Sequence, residues 1–243
     1  MHKLSMIKEK MDSSYVKQFS IEQLPEFCNQ IREKLIEIVS RTGGHIGVNL
    51  GVVELTVALH YTFDFPDDCL FWDVGHQIYV HKMLTGRLKE LETNRQNEGS
   101  PGYSFHNESV YDKVTSSHAG ASLSLGLGSA IGNQILKNNL HTISVIGDGS
   151  LVEGSSQEAL NHIAVENCKM LIILNDNERA IEENFGGLHE YLKKRQIGVE
   201  KQETYFSSLE IPYYGPIDGH NVITLVNELI RIKSNLRKPT ILH

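Results

Sequence analysis

Short apolar runs alternate with longer helical patterns along most of this sequence. The runs that predict strands are Cys69–Trp72, 141–146, 169–174, 211–214 and Thr240–Leu242. In the helical segments, apolar residues recur every three or four positions, as at Leu24, Phe27 and Ile31. Strands that alternate with helices are typical of α/β proteins, so we expect a doubly wound parallel sheet with helices on both faces.

The helical segments also indicate how the chain is organised. Residues 21–39 predict a first helix, which Gly43 and Gly44 should stop. Further helices are expected at 52–61, from His76, and at 119–136, 155–164 and 221–232, with a long loop at 92–116. Residues 1–20 are polar and weakly patterned, so we expect an N-terminal arm followed by one domain at 21–243.

The composition argues against several classes of function. The net charge of −7 and the pI near 5.9 disfavour nucleic acids and anionic membranes as main partners. No stretch approaches the roughly 20 apolar residues of a membrane span, and the N-terminus lacks the apolar core of a signal peptide. Cys28, Cys69 and Cys168 lie far apart, which suggests a reducing compartment. We therefore expect a cytoplasmic protein.

Polar clusters follow two of the predicted strands at the point where each strand ends. Gly147-Asp148-Gly149 comes after 141–146, and Asn175-Asp176-Asn177 comes after 169–174. One helix of crossover length separates them, and a right-handed crossover brings the two strand ends side by side. Ligands of parallel sheets bind beyond these carboxyl ends. We therefore predict that both clusters contribute to one site.

The residue types in these clusters suit a magnesium-bound diphosphate. Asp148 offers a carboxylate oxygen, Asn177 an amide oxygen and Arg179 a candidate backbone carbonyl, and Mg²⁺ takes such oxygens together with phosphate and water. Gly147 and Gly149 allow a sharp turn and close approach of a ligand, and the helix that follows offers N–H groups to phosphate. Either cluster alone is usually an ordinary turn or loop, so the prediction depends on the pair.

Gly147-Asp148-Gly149, followed after 27 residues by Asn177, resembles the thiamine diphosphate motif. Four longer segments resemble the 1-deoxy-D-xylulose-5-phosphate synthase family: Gly-Gly-His and its continuation at 43–60, Trp-Asp-Val-Gly-His-Gln at 72–77, Ile-Ile-Leu-Asn-Asp-Asn-Glu at 172–178, and Tyr-Gly-Pro-Ile-Asp-Gly-His at 214–220. The resemblance runs from about residue 20 to the C-terminus. It covers only the N-terminal, diphosphate-binding domain of that family, and it implies the thiamine diphosphate-binding fold.

The resemblance implies thiamine diphosphate and Mg²⁺ as cofactors and assigns roles to individual residues. Asp148 and Asn177 would hold the metal. Cofactor contacts are implied for His76, Ser117, His118 and Ala119, and for the backbone N–H groups of Gly149 and Ser150. His45 and His76 are the implied catalytic residues, with His45 near the substrate as a proton carrier. Most of the 12 histidines are expected to be structural, and His60, in an apolar helix, is expected to be packed.

Four departures from the family pattern affect these assignments. The family's Gly-His-Ser reads Ser117-His118-Ala119 here, and Val48 replaces a small polar residue near the reacting centre. Val152 and Glu153 replace a small neutral pair, and we expect Glu153 to point to solvent because a carboxylate facing a diphosphate would be costly. The segment between Gly187 and Ser207 is also shorter than in the synthase.

The implied reaction joins a 2-keto acid, or a two-carbon unit derived from a ketose, to an aldehyde. In the family, a glutamate that activates the cofactor and arginines that bind the sugar phosphate belong to a second domain, which these 243 residues do not include. Three alternatives follow. The chain is a subunit of a split enzyme whose partner supplies the pyrimidine-binding and C-terminal domains in a dimer or heterotetramer; it is a non-catalytic homologue that binds the cofactor or a partner; or it is a piece of a longer synthase.

Overall fold

The computed structural model describes residues 5–179, 184–197 and 205–243. The chain divides into two compact units, and several segments contribute to each. The first unit comprises Met1–Asp67, Gly75–Ser117 and Asp218–Asn235. The second unit comprises Asp68–Val74, His118–Ile217 and Leu236–His243.

A five-stranded parallel sheet forms the centre of the second unit. Its strands are β1 (Cys69–Trp72), β2 (Thr142–Gly147), β3 (Met170–Asn175), β4 (Tyr213–Tyr214) and β5 (Thr240–Leu242). They lie in the order β1-β2-β3-β5-β4, and every neighbouring pair is parallel. The predicted α/β fold with a parallel sheet is confirmed.

The described part of the second unit also contains four α-helices. They are α6 (Ser122–Ile135), α7 (Asp148–Leu151), α8 (Gly154–Ile163) and α9 (Gly187–Gln196). Helix α6 packs on β1 and β2 and against α8. The first five residues of β2 and of β3 are buried without alternation, which is typical of parallel strands shielded on both faces. The residues that follow β2 and β3 are therefore attached to strands that lie in the core.

The described part of the first unit is helical. Its helices are α1 (Leu24–Thr42), α2 (Ile46–Leu50), α3 (Val53–Thr62), α4 (Tyr79–Leu84), α5 (Leu88–Leu91) and α10 (Val222–Asn235). Helix α3 packs against α1 and α10, and nine of its ten residues are buried. Helix α1 ends as predicted at Gly43, whose φ of 73° favours glycine.

The segment predicted as an N-terminal arm contributes to the interior of the first unit. Met11, Tyr15 and Val16 are buried, and Tyr15–Gln18 forms a short 3₁₀ turn. The expected boundary at residue 20, with one domain at 21–243, stays a prediction. Among the described residues, no helix combines the length and the apolar character that membrane crossing requires.

Candidate functional site

The ends of β2 and β3 lie side by side. Gly147 is the register partner of Asn175, so Asp148 and Asp176 are the first residues beyond two neighbouring parallel strands. One crossover through α7 and α8 connects the strands. The predicted placement of both polar clusters at one edge of the sheet is confirmed.

Asp148 is the one predicted metal ligand that is buried, with 2% of its surface exposed. Its Oδ2 accepts a hydrogen bond from Nδ2 of Asn184 at 3.2 Å. Burial raises the pKa of Asp148, although the bond from Asn184 acts in the opposite direction. Because burial penalises the charged carboxylate, a nearby divalent cation would offset the penalty. Asp148 therefore fits the role of a metal ligand.

The loop after β3 is shaped by its own side chains. Asp176 Oδ1 accepts the backbone N–H of Glu178 at 3.0 Å, and Asn177 Oδ1 accepts the N–H of Arg179 at 3.1 Å. Asn177 and Arg179 are exposed. An amide oxygen has two lone pairs, so Asn177 Oδ1 keeps one for a cation. The loop thus fits a metal that takes one amide oxygen and one backbone carbonyl.

The protein offers mixed oxygen donors here rather than a cage of charged side chains. Among the described residues, no group of three or more His, Cys, Asp and Glu side chains could hold a metal ion. Mg²⁺ commonly binds through one or two carboxylates, with substrate phosphates and waters completing the coordination. The donor set at the strand ends is therefore compatible with Mg²⁺ on a diphosphate.

Gly147 and Gly149 turn the chain without unusual backbone geometry. Gly147 is extended, with φ −79° and ψ 156°, and Gly149 lies within α7. The chain leaves β2 by starting a helix, which any residue can do. The close approach of a ligand to these glycines, and the contacts of Gly149 and Ser150 with a diphosphate, stay predictions.

The segment Ser117-His118-Ala119 is exposed and leads into a turn that Asp73 holds by hydrogen bonds. The backbone N–H groups of Gly120 and Ser122 donate to the two carboxylate oxygens of Asp73, each at 3.0 Å. Gly120 has φ 78°, and a Cβ there would collide with Oγ of Ser155. Asp73 is a structural determinant that sequence reasoning missed, although an aspartate directly after a buried strand was a usable signal.

The two predicted catalytic histidines lie together in the first unit. The ring centroids of His45 and His76 are 5.7 Å apart, and Tyr103 lies 5.6 Å from His45. Burial, and then the charge of Arg95, lower the pKa of His45, which favours its neutral, proton-accepting form. Among the described residues, the buried Nδ1 of His45 has no hydrogen-bond partner. The role of His45 as a proton carrier stays a prediction.

Asn49 joins the backbones of these histidines and was not predicted. It is fully buried, and its Nδ2 donates to the carbonyl oxygens of His45 at 2.7 Å and His76 at 2.9 Å. Its Oδ1 accepts the N–H of Tyr79, also at 2.9 Å. An asparagine inside an otherwise apolar segment was the signal that could have revealed it.

The predicted site residues are divided between the units. The first unit holds His45, His76 and Ser117, and the second holds His118, Ala119, Asp148, Gly149, Ser150, Asn177 and Arg179. The structure brings together His45 with His76, and the strand end of Asp148 with that of Asn177. Two further expectations are confirmed: His60 is fully buried, and Glu153 is exposed. The catalytic and cofactor roles themselves stay predictions.

A family model described as 1-deoxy-D-xylulose-5-phosphate synthase matches residues 4–201 and 193–243. Curated relatives with that name include one from Listeria monocytogenes, 41% identical over 99% of this chain and 40% of its own length. Another, from Buchnera aphidicola, is 42% identical over 92% of this chain and 39% of its own length. The chain thus spans about 40% of the length of these relatives.

Solved structures of transketolases share the fold. The enzyme from Leishmania mexicana superposes with a TM-score of 0.74 at 19% identity, covering 92% of this chain and 36% of its own. The enzyme from Campylobacter jejuni gives 0.74 at 20% identity, covering 92% of this chain and 38% of its own. At this identity the likeness establishes the fold alone.

Proposed function

Because the chain belongs to the 1-deoxy-D-xylulose-5-phosphate synthase family, we propose that it is the diphosphate-binding part of a thiamine diphosphate-dependent, transketolase-like transferase. The proposal rests on the register of β2 and β3, which brings the buried Asp148 and the loop of Asn177 to one edge of the sheet. That edge is where parallel sheets bind their ligands.

In this proposal Asp148, Asn177 and the backbone carbonyl of Arg179 hold Mg²⁺. Gly149 and Ser150 donate backbone N–H groups to the diphosphate, while the cofactor contacts of His76, Ser117, His118 and Ala119 are carried over from the family. Bound thiamine diphosphate would supply the carbanion stabilisation needed to join a 2-keto acid, or a ketose-derived two-carbon unit, to an aldehyde. The protein would bind and orient the cofactor and the substrates and exclude water from the site.

His45 and His76 are proposed to move protons at the substrate. The lowered pKa of His45, caused first by burial and then by Arg95, keeps its ring neutral near pH 7. A neutral imidazole can accept a proton from a hydroxyl and return it. Tyr103 and Asn49 limit the motion of this ring and its backbone through the contacts described above.

The remaining groups of the active site are proposed to come from a separate subunit. The family resemblance places the cofactor-activating glutamate and the phosphate-binding arginines in a second domain, and this chain spans about 40% of its relatives. A pyrimidine-binding partner would then complete the site in a dimer or heterotetramer. A single longer synthase, of which this chain is a piece, would use the same residues in the same roles.

Calorimetric titration with Mg²⁺ and thiamine diphosphate, with the partner present, tests the proposal. Asp148→Asn keeps the shape of the side chain and removes its charge, so it should abolish measurable binding. Glu158→Gln is the matched control, because it removes one exposed carboxylate from α8 in the same unit. Equal binding by the Asp148→Asn protein and by the unsubstituted protein would refute the metal site.

A second candidate is a homologue that binds the cofactor or a partner without turnover. The exposed Ser117 and Ala119 favour it, because they flank His118 where the family has glycine and serine. Binding that depends on Asp148, combined with no reaction on any 2-keto acid in the complete complex, would support this candidate over the enzyme.

A further inference from the structure

Two buried side chains and a half-buried one form a hydrogen-bonded chain beside the loop that carries Asn177. Nε2 of His243 lies 3.0 Å from Oδ2 of Asp176, and each side chain is only 3% exposed. Nδ1 of the same ring lies 2.7 Å from the hydroxyl of Tyr213. Asp176 follows β3, His243 follows β5, and Tyr213 belongs to β4. The hydrogen-bonded side chains therefore cross the carboxyl edge of the sheet.

The chemistry of the three groups determines which of them donates each hydrogen bond. The carboxylate of Asp176 can only accept hydrogen bonds, and it lies 3.0 Å from Nε2 of His243. Burial raises the pKa of Tyr213 to about 12, so its hydroxyl keeps its proton. Nε2 of His243 therefore donates to the carboxylate, and in the neutral tautomer with that proton Nδ1 accepts from the hydroxyl of Tyr213.

The backbone around His243 holds the ring in place. Its N–H donates to the carbonyl of Tyr214 at 2.9 Å, and its carbonyl accepts the N–H of Ile217 at 2.9 Å. These two hydrogen bonds hold the backbone that carries the ring at the end of β5. On the other side, Asp176 uses its second oxygen to accept the N–H of Glu178. Asp176 is therefore the link between the sheet and the 176–179 loop.

We propose that His243 is a positioning residue, which holds Asp176 and thereby fixes the 176–179 loop so that Asn177 and the carbonyl of Arg179 face the metal. The inference rests on the proposed function, because it needs Mg²⁺ at this loop. The hydroxyl of Tyr213 contacts the other nitrogen of the His243 ring. Residues that orient metal ligands through hydrogen bonds typically change metal affinity by about 10- to 100-fold when they are replaced.

The same unit contains a matched pair that should have no such effect. Nδ1 of His141 lies 3.1 Å from Oδ1 of Asp68, and both side chains are largely buried. These residues directly precede β2 and β1, so the pair lies at the amino edge of the sheet. Replacing His141 removes its ring contact with Asp68 and leaves the carboxyl edge untouched, while the backbone N–H of His141 keeps its own hydrogen bond to Asp68 at 2.7 Å.

The test uses the full chain and removes, in each histidine, the nitrogen that faces its carboxylate. His243→Asn retains a polar group near the position of Nδ1 and loses Nε2, whereas His243→Gln places an amide nitrogen near the position of Nε2. His141→Gln is the control, since it loses the Nδ1 contact with Asp68. Three readouts are measured: Mn²⁺ affinity by electron paramagnetic resonance with thiamine diphosphate present, hydrogen exchange of the Glu178 and Arg179 amides, and the thermal midpoint.

We expect His243→Asn to weaken Mn²⁺ binding about tenfold or more and to speed exchange of the Glu178 amide. His243→Gln should restore most of both, and His141→Gln should change only the thermal midpoint.

Unchanged exchange in His243→Asn overturns the inference whether or not metal binds. If the unsubstituted chain binds Mn²⁺ and His243→Asn binds it equally, the inference is also wrong. If the unsubstituted chain fails to bind Mn²⁺ in the presence of thiamine diphosphate, the proposed metal site falls instead, and exchange of the Glu178 amide still decides the inference.

Discussion

Individual buried polar side chains determine the local geometry around the predicted catalytic histidines. Asn49 satisfies both of its amide hydrogens and its oxygen within the protein, at the carbonyls of His45 and His76 and the N–H of Tyr79. A buried donor or acceptor that loses its partner costs about 1–3 kcal/mol. The sequence predicted the histidines from their motifs. An asparagine in an apolar segment could have marked Asn49 as a buried polar residue, but no local pattern specifies which distant carbonyls its amide reaches.

A buried histidine pair should make the first unit sensitive to acid. Nε2 of His60 lies 2.9 Å from Nδ1 of His81, and both rings are buried. Burial lowers the pKa of His60 to about 3, and burial followed by the charge of His60 lowers that of His81 well below 6.5. Asp112, whose oxygen lies 3.7 Å from Nε2 of His81, does not reverse this, because Arg87 also binds Asp112 and repels a charged ring.

We predict that stability falls as the pH falls through 6.5. Below pH 6.5 the unfolded chain protonates both histidines, whereas in the folded chain His60 stays neutral down to about pH 3 and the pKa of His81 also lies well below 6.5. Unfolding therefore takes up protons. For each ring that stays neutral in the folded protein, lowering the pH from 6.5 to 5 should reduce the free energy of unfolding by roughly 2 kcal/mol. Urea unfolding at several pH values measures this slope. The double variant His60→Gln/His81→Gln should flatten it, and His162→Gln, at an exposed histidine, should not. Parallel slopes in all three proteins would contradict the assignment.

At the scale of elements, hydrophobic periodicity predicted the type and order of the main strands and helices. The boundaries moved where hydrogen bonding overrides apolarity. Strands β2 and β3 each begin and end one residue later than expected, because their ladder continues to Gly147 and Asn175. Strand β4 is two residues long rather than four, and Pro212, which precedes it, has no N–H for a ladder.

Two glycines of the second unit should respond to alanine in opposite directions. Gly120 precedes α6 with φ 78° and has no room for a Cβ beside Ser155, so Gly120→Ala should destabilise the protein by about 1–2 kcal/mol or more. Gly128 lies within α6 with no atom near the position of a Cβ, so Gly128→Ala should stabilise it by up to about 1 kcal/mol. Unfolding midpoints of the two variants in urea decide this. Equal effects of the two substitutions would show that backbone conformation does not control the start of α6.

At the scale of the molecule, the sequence did not predict the division into two units. The chain passes between them repeatedly, and the first unit takes up Asp218–Asn235 long after its other segments. Periodicity identifies an apolar helix face but not the element that covers it, so α10 could be predicted as a helix while its packing on α3 could not. The strand-end site was predictable because parallel topology alone brings the two ends together.

The chain alone should not turn over pyruvate and an aldehyde, even if it binds Mg²⁺ and thiamine diphosphate. The residues proposed to bind a diphosphate and its metal lie in this chain, whereas the family resemblance places the activating glutamate in a second domain. Adding the part of the Listeria monocytogenes relative that this chain does not match should restore carbon dioxide release from pyruvate in the presence of an aldehyde.

Asp148→Asn is the matched variant for this complementation, because it should abolish the restored reaction while the two chains still associate. Association is measured by sedimentation and carbon dioxide release by a coupled assay. Turnover by this chain without a second one would show that all catalytic groups lie within it. Restored turnover that survives Asp148→Asn would instead place the metal on other residues.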